Sequence, residues 1–226
     1  MPQDRKPGRQ LSAQDAAALQ RGPSHARGKR LALTQAIRPA HKPRFPLREG
    51  YRIEIYKDPE LGLRMPVLTA ALSRHHLLPI LMELFTPLGE VVDFILESSH
   101  EMEPASDGSP IAATWERTDI DLPVLTSILC GFEDLLLNDG CTGIAVLNAE
   151  RDYEVHFDEH KLLYLYGPQL HLFEAILQRH GVLREDDLLI ITEEEHIHST
   201  SDEYFEQMND LRQLIGVEDE VESASW

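Results

Sequence analysis

The stretch DLPVLTSILCGFEDLLLNDG, Asp121 to Gly140, places Leu125, Ile128, Leu129, Phe132, Leu135 and Leu136 at i, i+3, i+4, i+7, i+10 and i+11. Only a helical period aligns those six on one face. Asp121 stands where a capping side chain is wanted, and Asn138-Asp139-Gly140 offers an exit in residues that tolerate a left-handed conformation. The segments on either side of this helix carry a different period, and that switching constrains the fold.

YRIEIY, Tyr51 to Tyr56, alternates apolar and polar residues as an amphipathic strand does. Val67 to Leu88 reads as a helical region interrupted by Pro79, with Leu78, Leu81, Met82 and Phe85 inward. VVDFILESS is a strand with Val92, Phe94 and Leu96 inward, and EMEPASDGSP a loop. CTGIAVLN is apolar on both faces, which suits a central strand. YEVHFDEH alternates again, KLLYLYG bends onward, and a helix spans Gln169 to His180. DLLIITEEEHIHS reads as one long strand, and Thr200 with Glu203 as the capping box of a last helix whose inward face is Tyr204, Met208, Leu211 and Ile215.

The order β-α-β-α-β-β-α-β-α predicts an α+β domain over 49–216, with a mixed sheet of five to six strands packed against about four helices. No internal repeat appears. Residues 1–48 lack an apolar period and hold eleven Lys or Arg against Asp4 and Asp15, so a disordered basic tail is expected, with a transient helix around Ala13–Gln20. The whole chain has a formal charge of −18, so the remainder beyond residue 48 is strongly acidic; 217–226 reads as an acidic tail. No apolar run reaches the length of a membrane span, no secretory leader is legible at the N-terminus, and Cys130 and Cys141 read as small buried hydrophobes. A cytoplasmic protein with no membrane association is expected.

Two functional classes follow. The first is a non-enzymatic interaction or regulatory protein whose acidic domain binds another macromolecule, most naturally a basic protein, and which needs no cofactor. Nucleic acid would be reached only through the basic tail, which has no aromatic before Phe45 to stack a base. The second is a metal-dependent, hydrolase-like enzyme. Its signal is a set of imidazoles and carboxylates at alternate positions: His156, Asp158 and His160 in YEVHFDEH, and His196 and His198 in EEEHIHST. Side chains two apart share a strand face, so pairing of those two segments would gather the five on a divalent transition metal such as zinc, with a spare Glu as base. The simpler reading is the wet face of a sheet: Val155, Phe157 and Ile197 already supply the inward face, so the polar residues need no role beyond solubility. Phosphate-cradling glycine loops and a nucleophile elbow are missing from the sequence.

Overall fold

The computed structural model describes residues 28–43, 46–57, 64–104 and 110–217. Its frame is a seven-stranded, wholly antiparallel sheet in the order β2-β3-β8-β7-β6-β4-β5. The strands are β2 (Gly50–Lys57), β3 (Arg64–Ala71), β4 (Val91–Pro104), β5 (Pro110–Asp121), β6 (Thr142–Asn148), β7 (Tyr153–Phe157) and β8 (Leu162–Tyr166). The expected mixed sheet of five to six strands is thus corrected to seven antiparallel ones. β6, β7 and β8 follow one another through four-residue turns, 149–152 and 158–161, which permit only antiparallel pairing; parallel strands need long crossovers.

Among the described residues five α-helices accompany the sheet: α1 (Arg74–Leu84), α2 (Leu122–Gly131), α3 (Glu133–Asn138), α4 (His171–Arg179) and α5 (Asp202–Ile215). They bury Leu81, Leu129, Leu136, Phe173 and Leu211 against the inward row Leu68, Phe94, Leu96, Ile144, Val155, Phe157 and Leu165. Burial of such side chains contributes about 1.5–3 kcal/mol each.

Several segment readings change. Val67–Ala71 belongs to β3 rather than to a helix, because both faces of this inner strand are covered and a continuous apolar run carries no period. EMEPASDGSP is not wholly loop, since β4 runs on through Pro104 and β5 begins at Pro110; Trp115 of β5 is buried and lies under the Arg212 guanidinium. The long helix breaks at Phe132, where φ −112° and ψ 28° leave the helical range. Asp121 occupies the cap position of α2 without a capping hydrogen bond. The final cap is Ser201, whose hydroxyl accepts from the Tyr204 amide, and not Thr200. Cys130 is exposed and Cys141 half-buried.

Part of the stretch expected to be a tail is folded against the sheet. Ile37–Pro39 forms β1, and Ile37 and Leu47 are buried with Ala71, Leu162, Leu188, Ile190 and Ile191 in a second, smaller core. The transient helix at Ala13–Gln20 and the acidic segment from residue 218 lie outside the described residues.

DLLIITEEEHIHS is not one strand. Leu188, Ile190 and Ile191 are drawn into the smaller core, and a 3-10 turn follows at Ile191–Glu193. Only His196–His198 forms a strand, β9, and its partner is β1 in a separate two-stranded ribbon: Ile37 faces His198 and Pro39 faces His196. The smaller core seats this ribbon beside the end of β7 and β8.

Candidate functional site

The residues between β7 and β8, Asp158 to Lys161, make a tight turn. The Lys161 amide donates to the Asp158 carbonyl at 3.0 Å, and the Leu162 amide donates to Asp158 Oδ1 at 2.8 Å. Lys161 sits at φ +62°, unusual for a residue with a side chain and enforced here by the turn. His160 is carried on this turn, beyond the last residue of β7.

The turn brings His160 to the ribbon. The ring centroids of His160, His196 and His198 stand 4.8 to 5.2 Å apart in all three pairings. One nitrogen from each ring lies within 4.8 Å of the other two.

Each ring is held by its Nδ1. His160 Nδ1 is 2.9 Å from Asp158 Oδ2, His196 Nδ1 is 2.8 Å from the Glu194 carbonyl, and His198 Nδ1 is 2.6 Å from the Gly140 carbonyl. All three partners are acceptors, so each Nδ1 carries the proton and each Nε2 keeps its lone pair. The polar anchors of all three rings thus run through Nδ1. An imidazole oriented by an acceptor on its far nitrogen is the usual support of a metal-bound histidine.

Burial on its own would lower the His160 pKa, but the hydrogen bond and charge of Asp158, with Glu159, carry it above the ordinary histidine value. The same carboxylates favour a bound cation. A zinc ion at about 2.0–2.1 Å from three imidazoles would set the nitrogens roughly 3.3 Å apart. Small side-chain rotations therefore close the cluster. His196 is half-buried and His198 exposed, so a fourth coordination position would face water.

The five residues picked from the sequence thus separate. His160, His196 and His198 converge; Asp158 orients His160 from behind; His156 lies elsewhere. The premise that YEVHFDEH pairs with EEEHIHST is corrected, since β7 pairs with β6 and β8 while β9 pairs with β1. Ile197, taken as inward, is 38% exposed.

His156 belongs to the open face of the large sheet. Its Nε2 is 3.0 Å from Glu97 Oε2, reaching across the place where Gly143 has no side chain: a Cβ there would lie 3.2 Å from that oxygen. Burial lowers the His156 pKa, yet Glu97, Asp158 and Glu154 together raise it above the ordinary value. Glu154 is pushed up, by burial first and by the Glu97 charge.

Sequence reasoning passed over the helix exit. Gly140 donates its amide to the Ser199 carbonyl and offers its own carbonyl to His198, so it clamps α3's end to the ribbon. Its φ is not left-handed; what demands glycine is space. A Cβ would lie 2.4 Å from the Ala36 carbonyl oxygen and 2.9 Å from the Ser199 amide nitrogen. Asp139, fully buried, receives the Thr142 hydroxyl at 2.6 Å and the Thr200 hydroxyl at 2.5 Å and faces His100 Nε2 at 2.9 Å. Burial would raise its pKa, and these hydrogen bonds bring it below the ordinary carboxylate value. Asn-Asp-Gly after an apolar run is the one signal that could have pointed here.

No protein-family model matches the chain, and neither a curated protein nor a solved structure does. Among the described residues no helix is long and apolar enough to cross a membrane.

Proposed function

We propose that the protein is a zinc-class metalloprotein in which His160, His196 and His198 hold one divalent ion through Nε2, with water in the fourth position. The observation that carries this reading is that one nitrogen of each ring lies within 4.8 Å of the other two, while each Nδ1 faces an acceptor. All-nitrogen ligation suits zinc, copper, nickel or iron. Three protein ligands plus an open position is the pattern of catalytic rather than structural zinc. Such an ion lowers the pKa of its bound water toward neutrality and makes it a nucleophile, so hydrolysis is the reaction class supported.

The partner-binding reading rests on net charge alone, which any acidic protein shares. Three oriented imidazoles are the more specific feature and place the metal reading first.

The test is the metal content of purified, untagged protein, measured by elemental analysis in wild type and in His196→Ala/His198→Ala. Zinc, copper, nickel or iron in wild type, falling by one ion per chain in the double variant, is the expected result. Hydrolysis of simple activated esters and phosphate esters is then compared between the two. Protein that is isolated without metal, and that neither binds added zinc nor gains thermal stability from it, refutes the reading.

A further inference from the structure

Asp139-Gly140-Cys141 runs between two clusters. The Gly140 carbonyl points to His198 in the three-histidine cluster. The flanking side chains of Asp139 and Cys141 join His100 in another: ligand atoms of His100, Asp139 and Cys141 lie within 4.8 Å of one another. We infer that His100, Asp139 and Cys141 form a second divalent-metal site, of mixed nitrogen, oxygen and sulfur character and selective for zinc-like ions over magnesium or calcium.

The place is built. Asp139 is wholly buried, and the His100 side chain is only 9% exposed. The Thr142 and Thr200 hydroxyls fix the Asp139 carboxylate, and the Cys141 carbonyl accepts from the Ser99 amide at 2.8 Å, which pins the strand carrying His100 alongside. The His100 nitrogen and Asp139 Oδ2 already face each other at 2.9 Å, so an ion inserts by replacing that hydrogen bond. Thr200 Oγ1, 3.3 Å from the same nitrogen, is a neighbouring oxygen donor for the fourth position.

The charge balance supports the assignment. On binding, the Cys141 thiol releases its proton to solvent and the His100 proton resides on Nδ1. One thiolate, one carboxylate and one neutral imidazole then make a neutral unit with a divalent ion, which is what a buried location tolerates. A thiolate ligand selects soft and borderline ions, which sets the class of metal.

This site uses none of the three-histidine ligands, so the two stand or fall separately. Metal-free full-length protein is titrated with Co²⁺ in wild type, Cys141→Ser, Cys130→Ser and His196→Ala/His198→Ala, reading stoichiometry and the sulfur-to-cobalt charge-transfer absorption. Two cobalt ions per chain are expected, with the charge-transfer band lost in Cys141→Ser and kept in the other two variants. Cys141→Ser should retain one cobalt. A band with a single cobalt that survives His196→Ala/His198→Ala supports this site and removes the other. Cobalt bound without any thiolate band, or a band lost in Cys130→Ser rather than Cys141→Ser, overturns the inference.

Discussion

Replacing Asp158 by asparagine changes one atom of the site's support and reverses the proton on His160. Oδ1 still accepts from the Leu162 amide, so the turn keeps its hydrogen bond. The other position, 2.9 Å from His160 Nδ1, becomes an amide NH₂ that can only donate. His160 must then present Nδ1 as acceptor and place its proton on Nε2, the atom required by the ion. Loss of such an orienting acceptor lowers metal affinity about 10–100-fold, or roughly 1.4–2.7 kcal/mol. Competition against a chromophoric zinc chelator measures the affinity, and the histidine ¹⁵N shifts report the tautomer. Asp158→Asn should bind zinc at least tenfold more weakly, with His160 switched to the Nε2-H form. An affinity within twofold of wild type, with the tautomer switched, would refute the reasoning, because the ion would then not use Nε2 of His160.

Three further outcomes are expected. Gly140→Ala sets a Cβ against backbone atoms of Ala36 and Ser199 that have no room to yield, so it should lose about 1–3 kcal/mol in urea unfolding and weaken zinc binding through the displaced His198 anchor. Lys161, whose pKa burial pushes down to about 8 from 10.5, binds fewer protons folded than unfolded between those values. Stability should therefore rise as pH increases from 8 toward 10, and Lys161→Met should flatten that rise in unfolding curves at the two pH values. His156 is the opposite case: its folded pKa is raised, so its contribution is fully present below the unfolded value of about 6.5 and disappears as pH rises through the folded one. Glu97→Gln should bring the His156 midpoint down in an NMR titration.

The inward faces were legible wherever one side of an element meets solvent. Val92, Phe94 and Leu96, and Met208, Leu211 and Ile215, were read from period alone and are buried. The reading failed where both sides are covered, as in Val67–Ala71, and where tertiary demand overrode local pattern, as in Ile190 and Ile191, which leave a strand-like run to fill the smaller core. His160, His196 and His198 were recognisable by residue type and alternation. Their convergence was not, because it arises from a turn meeting a ribbon and depends on β1, a strand of three residues in a stretch with no period of its own. The carbonyls of Gly140 and Glu194 leave no mark in a sequence, since every residue has one.

The ribbon's separateness has a mechanical consequence. β1 and β9 share hydrogen bonds with each other, whereas the turn carrying His160 belongs to the large sheet. Lacking the sheet's extensive ladder, the ribbon is the natural unit to open first, as small peripheral units do. An ion bridging His160 to His196 and His198 would fasten that unit to the sheet and make its opening contingent on release of the ion. Amide exchange at Ala40, Gly140 and Ser199 would then slow with zinc concentration while the sheet's slowest amides stayed unchanged, and the ribbon would act as a latch whose closure reports metal supply.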